Sequence, residues 1–239
     1  MSIAEKVTRA KTDYDEVYEA GKQAEYDAFW DSYQRNGARN DYAWAFAGTQ
    51  WNKTTFRPKH NMRPTRMYMM TYSPYGGGLA FDVAKRLQEC GVTLDTSACT
   101  DFQYAFHSGT HWGVIDSTGT TNLNYQVFFN NSMLHTIDEL IVKETTTFGA
   151  TTFQGCSALA NLKITGTIGK TITLSACPLT VESAKSVINA LYNYAGTTDE
   201  LKYKLTLKST VWTALNNAET PPTGDTWQDY VVSLGWNCA

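Results

Sequence analysis

The stretch TTFQGCSALANLKITGT, residues 151–167, decides the fold through the spacing of its apolar side chains. These side chains occur at Phe153, Cys156, Leu159, Leu162 and Ile164. Intervals of three residues fit one face of a helix. They also fit one copy of a longer repeat. The two interpretations predict different architectures, and the rest of the chain must decide between them.

The same spacing occurs twice more upstream. Phe106 and Phe128 are each followed by a small side chain at +3 and by apolar side chains at +6 and +9. The followers are Gly109, Trp112 and Ile115 in the first copy, and Asn131, Leu134 and Ile137 in the second. The three Phe anchors are 22 and 25 residues apart. Self-similarity at a period of 20–29 residues is typical of a solenoid, and one helix face would not recur at this distance.

Each unit carries one short predicted strand. These strands are Val114–Asp116, Ile137–Val142 and Leu162–Thr165, and GTIGKTITL leads into another. A single unit could not bury its apolar side, whereas stacked units share one core. We therefore predict that residues 76–180 contain a capping helix at 79–90 followed by the repeats.

Residues 181–239 are predicted to be an α/β cap over the open end of the repeats. Thr180 is a suitable N-cap for a first helix, KYKLTLKS alternates like a strand, and Ser209 is expected to cap a helix that ends at Ala218. A last helix is predicted at Thr226–Leu234. The side chains expected to fill this cap are Trp212, Trp227 and Trp236.

Residues 1–75 are predicted to form a long helix followed by an aromatic-rich irregular region. The helix spans 2–35, and its stripe of 3–4 spacing comprises Ile3, Val7, Ala10, Tyr14, Val17, Gly21, Ala24 and Ala28. The stripe fits a helix packed on its own domain or a self-associating coiled coil. In the second case Ile3, Val7, Ala10, Tyr14 and Val17 are the oligomerisation residues. Residues 38–75 fit either core or contact surface.

Composition excludes several classes of protein. With 42% hydrophobic residues, 18% charged residues and a net charge of −3, the chain is not basic enough to indicate nucleic-acid binding. No apolar run reaches 18 residues, and the first residues lack a signal-peptide core, so no membrane insertion is expected. The five cysteines include no CxxC pair, which indicates neither a disulfide framework nor structural zinc. No cofactor is predicted.

The sequence offers few candidates for chemistry. His107 and His111 have the four-residue spacing that binds one metal ion on a helix, with Asp116 as a third ligand, but Ser-Gly between them predicts a turn. We therefore predict no metal site. Asp95 and Asp116 occupy matched repeat positions, which favours turn capping over a catalytic pair. No GxSxG is present and no catalytic residue is predicted, although paired glycosidase carboxylates leave no sequence signature.

The phrase FQGCSALANLKI resembles the degenerate leucine-rich repeats of the BspA-like type, whose signature is AF-x-x-C-x-x-L-x-x-I. Gly109 and Asn131 stand where the first two copies would carry Cys. The N-terminal block at 18–64 and the segments CPLTVESAKSVINAL, TLKSTVWTAL and TWQDYVVSLGWN resemble the blocks that flank such repeats in proteins of gut Firmicutes and their phages. The expected fold is α+β, a short leucine-rich-repeat solenoid with a helical N-terminal region and an α/β C-terminal cap.

The resemblance implies a phage tail or bacterial surface component with no enzymatic activity. Its expected partners are a protein or glycan on a cell surface, neighbouring virion or surface proteins, and copies of itself, with a trimer as one possibility. Its expected location is the virion or the cell surface. Two alternatives stay open: a purely structural assembly protein with no ligand, and a cell-wall glycan hydrolase.

Overall fold

The structure is a computed structural model that describes residues 24, 25, 28, 42, 45, 53–71 and 79–239. The predicted oligomerisation residues Ile3, Val7, Ala10, Tyr14 and Val17 lie outside the described residues. Of the same stripe, Ala24 and Ala28 are helical and exposed. The described chain combines helices with parallel sheets and is α+β.

Three parallel strands form the central sheet. Strands β1 (His111–Asp116), β3 (Thr136–Val142) and β5 (Asn161–Gly166) lie side by side in that order. Beside them β2 (Asn122–Leu123) pairs with β4 (Thr147–Phe148), also in parallel. The register aligns His111 with Thr136 and Thr136 with Asn161, so neighbouring strands are one sequence unit apart. The strand positions predicted from the spacing are confirmed.

The Phe anchors form a column inside the protein. The rings of Phe106, Phe128 and Phe153 stack with centroid distances of 5.1 Å at both steps and interplanar angles of 14° and 6°. All three are at most 1% exposed. The distance is close to the spacing of neighbouring strands, so equivalent residues of successive units lie directly above one another. The single-helix interpretation of residues 151–167 is wrong, because they contain turns and β5 but no helix.

In the second and third units, the side chain at +3 forms hydrogen bonds to the preceding unit. Asn131 Nδ2 donates to the carbonyl oxygens of Phe106 and Gly109, both at 3.1 Å. Cys156 Sγ donates to the Phe128 carbonyl oxygen at 3.0 Å. Burial raises the pKa of the Cys156 thiol, which keeps its proton and remains a donor. In these two units the side chain at +3 therefore donates a hydrogen bond to the preceding unit. The sequence had predicted only that a small side chain lies there.

A further coil precedes the units recognised in the sequence. Residues 62–71 run parallel to 94–105, with the Met67 amide donating to the Asp101 carbonyl at 2.8 Å and the Thr71 amide to the Ala105 carbonyl at 3.2 Å. Its buried side chains are Met62, Met67 and Met70. Within the described residues, this part of the 38–75 region contributes to the core.

Helix α1 (Val83–Glu89) lies next to β1. The Asp82 carboxylate caps it by accepting from the Lys85 amide at 2.8 Å, and Gly91, with φ of +67°, ends it. The helix predicted at 79–90 therefore begins four residues later than expected. Leu79 is buried ahead of it, and its amide donates to Ser108 Oγ at 3.0 Å.

Helix α2 (Val181–Asn189) covers the other edge of the sheet. Ser183 Oγ accepts from the Leu162 amide at 2.9 Å, and Ser186 Oγ accepts from the Ile164 amide at 2.8 Å. These hydroxyls replace a further strand as partners of β5, which removes an open edge. Thr180 caps α2 through the Ser183 amide, which confirms the predicted helix start.

The C-terminal part contains a third parallel sheet and two helices. The sheet has the order β6 (Ile172–Leu174), β7 (Lys204–Leu207), β8 (Asn237–Cys238), and the helices are α3 (Ser209–Ala218) and α4 (Trp227–Ser233). Thr226 caps α4 in a capping box with Asp229. Ser209 is the first helical residue rather than the cap, and Lys208 at the cap position makes no side-chain cap bond. Trp212, Trp227 and Trp236 are buried, as predicted.

Candidate functional site

An open groove of about 850 Å³ separates α1 from the outer side of β1. We name it the α1 groove; its walls include Lys85 and Gln88 of α1 and His111, Gly113 and Val114 of β1. Gly113 leaves its floor uncovered, because a Cβ there would lie 3.8 Å from Ala84 Cβ and would fill part of the groove. Val114 is 48% exposed, which is high for a valine in a sheet. The groove thus combines an apolar wall with polar groups.

His111 joins the two sides of the groove. Its Nδ1 contacts Asp82 Oδ2 at 3.2 Å, and its Nε2 contacts Asp138 Oδ1 at 2.7 Å. Burial lowers the pKa of His111, but the hydrogen bonds to Asp138 and Asp82 outweigh burial and leave this pKa raised. A neutral imidazole carries one N–H, so only the imidazolium donates to both carboxylates. In its protonated form, the ring therefore connects the α1 cap to β3 across β1.

Polar side chains continue the site across the sheet. We call the solvent-facing side of β1, β3 and β5 the outer sheet face. Glu139 of β3 accepts from Lys163 Nζ at 2.9 Å and from Thr165 Oγ1, both on β5. These hydrogen bonds, Thr165 first and Lys163 second, lower the pKa of Glu139. The pairs order long side chains into cross-strand rows, which presents a partner with fixed donors and acceptors.

The two histidines suggested by sequence spacing have separate surroundings. His107 Nε2 contacts the Gln126 carbonyl at 3.0 Å, and its ring lies edge-on to Tyr104 at 5.3 Å. Burial lowers the pKa of His107. His111 instead contacts carboxylates through opposite ring atoms. Among the described residues, no group of three or more His, Cys, Asp or Glu side chains is arranged to hold a metal ion.

The two matched aspartates are turn-capping residues, as predicted. Asp95 Oδ1 accepts from the amide of Ser97 at 3.1 Å and from its hydroxyl at 2.6 Å. Asp116 Oδ1 accepts from the amide of Thr118 at 2.8 Å and from its hydroxyl at 2.6 Å. The same local bond in two successive units explains why Asp recurs there. Neither carboxylate is part of the His111 cluster.

The sequence reasoning missed Asp82 and Asp138. Asp82 could have been found as the Asp immediately before an amphipathic helix. Asp138 carries no such signal, because its closeness to His111 depends on the register that aligns His111 with Thr136. A polar residue beside buried residues in a strand predicts that its side chain points to solvent. It does not predict which other side chain it contacts.

The cysteines are free thiols, and burial raises the pKa of each. For Cys99 and Cys177, burial raises the pKa to about 12. A thiol that stays protonated at neutral pH is a poor nucleophile. The buried cysteines therefore act as packing groups, and Cys99 and Cys156 also donate hydrogen bonds.

Within the described ranges, no helix has both the length and the apolar character needed to cross a membrane. Comparisons of this chain with protein-family models, with curated proteins and with solved structures found no significant match.

Proposed function

We propose that this protein is a non-catalytic binding protein that contacts a host-cell ligand through the outer sheet face and the α1 groove. The observation that carries this proposal is the continuity of the two surfaces. The open groove and the ordered cross-strand rows meet at Asp138, which borders the groove and lies on β3. An extended ligand could contact both without any rearrangement of the sheet.

The scaffold in this proposal is a short leucine-rich-repeat solenoid of the BspA-like type. Three features support it: parallel strands one unit apart, the column of Phe106, Phe128 and Phe153, and the donor at +3. In such a scaffold the inner positions are fixed by stacking and the outer positions are free to vary. Binding is therefore assigned to the outer sheet face.

Binding is favoured over catalysis by how the site's titratable groups are used. His111 is held by two carboxylates, and Glu139 is held by Lys163 and Thr165. A general base needs an available lone pair within reach of the group that it deprotonates. The imidazolium form of His111 has none, so the cluster suits recognition and support of the groove.

The proposed setting is a phage tail or a bacterial cell surface, where the ligand would be a protein or a glycan. Copies joined through residues 2–35 would raise a weak individual affinity by effective concentration. Neighbouring virion or surface proteins would anchor the assembly. This part of the proposal rests on the sequence resemblance.

The test compares two valine variants in retention of labelled, full-length protein on whole gut Firmicutes cells. Val114, in the α1 groove, is 48% exposed, and Val232, on α4, is 46% exposed. Val114→Lys and Val232→Lys thus add the same charge at equal exposure. We expect Val114→Lys alone to abolish retention while its circular dichroism stays that of the parent protein. Equal retention by both variants would refute the groove as the site.

Two further arms refine the result. Retention lost after periodate treatment of the cells would identify a glycan, and retention lost after protease treatment would identify a protein. No retention of the parent protein on any cell tested would contradict receptor binding and favour the structural assembly alternative.

A further inference from the structure

A second cavity, of about 530 Å³, lies on a different face of α1 from the groove. We name it the arginine cavity. One wall comes from the segment that precedes the repeats, with Arg57, Lys59 and His60, and the other comes from α1, with Arg86 and Glu89. The cavity has no part in the proposed function and is independent of it.

Two guanidinium groups are held in place at this cavity. Arg57 Nε donates to the Thr54 carbonyl at 2.7 Å, and Arg86 Nε donates to the Phe56 carbonyl at 2.8 Å. Arg86 Nη1 also donates to Glu89 Oε2 at 3.0 Å, and its side chain is only 16% exposed. Anchoring through Nε to carbonyls two residues apart fixes both planar groups before any ligand arrives. Such preorganisation lowers the entropy cost of binding.

Donors remain for a ligand. Within the described part of the chain, the hydrogen bonds of these two residues leave both Nη atoms of Arg57 and the Nη2 of Arg86 without a partner. Burial raises the pKa of the neighbouring Cys90, and the charges of Arg86 and then Arg57 oppose that rise. The charges of both guanidinium groups therefore act on the same part of the cavity, at the Cys90 thiol.

The charge balance of the cavity is positive, although the whole chain has a net charge of −3. Residues 53–66 contain five Lys or Arg and no Asp or Glu. Arg63 pairs with Asp95 at 3.8 Å and Arg66 with Asp101 at 3.2 Å, both away from the cavity. Among the described residues that line the cavity, Arg57 and Arg86 lie beside one carboxylate, that of Glu89. An anionic ligand is thus the complementary one.

We propose that the arginine cavity binds a phosphate group carried on a polyol or sugar. Guanidinium groups match the oxygens of phosphate in a bidentate geometry, which favours phosphate over spherical anions such as chloride. The volume of about 530 Å³ lies within the range of small-molecule sites and exceeds what a bare oxyanion fills. The additional space accommodates the group that carries the phosphate.

The test is calorimetric titration of the full chain with glycerol 1-phosphate, with inorganic phosphate and with glycerol, at constant ionic strength. Arg57→Gln removes one guanidinium whose hydrogen bond within the described residues is to the Thr54 carbonyl. Lys204→Gln removes the same charge from an exposed position on β7 and serves as the matched control. We expect Arg57→Gln to weaken phosphate binding by about tenfold or more and Lys204→Gln to leave it unchanged.

Three outcomes would overturn the proposal: no binding of either phosphate compound by the parent protein, equal weakening in both variants, or full binding by Arg57→Gln. Arg57→Lys keeps the positive charge but removes the bidentate guanidinium group. We expect its affinity for phosphate to lie between those of Arg57→Gln and the parent protein. Glycerol 1-phosphate should bind more tightly than inorganic phosphate. Equal affinity for the two would overturn the assignment of the carrier group.

Discussion

Replacing Asn131 should reveal how much the donor at the +3 position stabilises the stacked units. Its side chain is 1% exposed, and its Nδ2 donates to the carbonyl oxygens of Phe106 and Gly109. Asn131→Ala removes both bonds and leaves two buried carbonyls without this donor. A buried polar group left unpaired costs about 1–3 kcal/mol, so two such groups predict a loss of about 2–6 kcal/mol in the free energy of unfolding. The lower half of that range is the better expectation, because Oδ1 of Asn131 is itself buried without a partner and its removal returns part of the cost.

The chain supplies its own intermediate substitution. Cys156 occupies the matched position of the next unit and donates one hydrogen bond, to the Phe128 carbonyl. Asn131→Cys should therefore keep the bond to Phe106 and lose about half as much stability as Asn131→Ala, or about 1–2 kcal/mol. Ser132→Ala, at an exposed neighbouring position, should stay within about 0.5 kcal/mol of the parent protein.

Urea denaturation followed by circular dichroism provides the measurement. The midpoints should fall in the order parent, Asn131→Cys, Asn131→Ala, with an unchanged dependence on urea concentration. If Asn131→Ala is as stable as the parent, or if Asn131→Cys is no better than Asn131→Ala, the hydrogen bonds between units contribute no net stability and the reasoning fails.

Two other substitutions test the column and the groove. Phe128→Ala removes the middle ring of the Phe column and should lower the free energy of unfolding by about 3–5 kcal/mol in the same urea assay, so a loss below about 1 kcal/mol would contradict tight stacking. The pKa of His111 is raised in the folded protein, so its bonds to Asp82 and Asp138 stabilise the fold at pH values below the pKa of an unfolded His. This stabilisation disappears as the pH rises through the pKa of His111 in the folded protein. The stability difference between the parent and His111→Gln should therefore be largest below about pH 6.5, the ordinary pKa of His, and shrink as the pH rises above it. A difference independent of pH would show that the imidazolium bridge is absent.

The strands of the central sheet were predictable because the three successive units have the same spacing of apolar residues. Phe153 and Leu162 repeat the pattern of Phe128 and Ile137, and strand pairing then follows from the offset. The segment at 62–71 was not predicted as part of the pattern because it carries Met62, Met67 and Met70 in place of a Phe anchor. Its position becomes visible only in the hydrogen bonds to residues 94–105.

The candidate site was less predictable than the fold. His111 was noticed for its spacing from His107, yet its partners are Asp82 and Asp138, which lie 29 and 27 residues away in sequence. Such partners are decided by strand register and by where α1 begins, and both were known only approximately from the sequence. The arginine cavity has the same origin, since Arg57 and Arg86 meet only after the segment before the repeats packs against α1.

The variation at +3 shows how units that stack alike can differ in sequence. Gly109 has φ of +97°, and a Cβ there would lie 2.6 Å from Trp112 Nε1, so the large Trp of the first unit excludes any side chain at this position. Gly109 contributes no side-chain donor and instead accepts from Asn131 through its carbonyl. Asn131 reaches two carbonyls because its amide carries two N–H groups, whereas Cys156 reaches one. The three units thus differ at +3 according to which side chain neighbours the position and how many carbonyls accept a hydrogen bond from it.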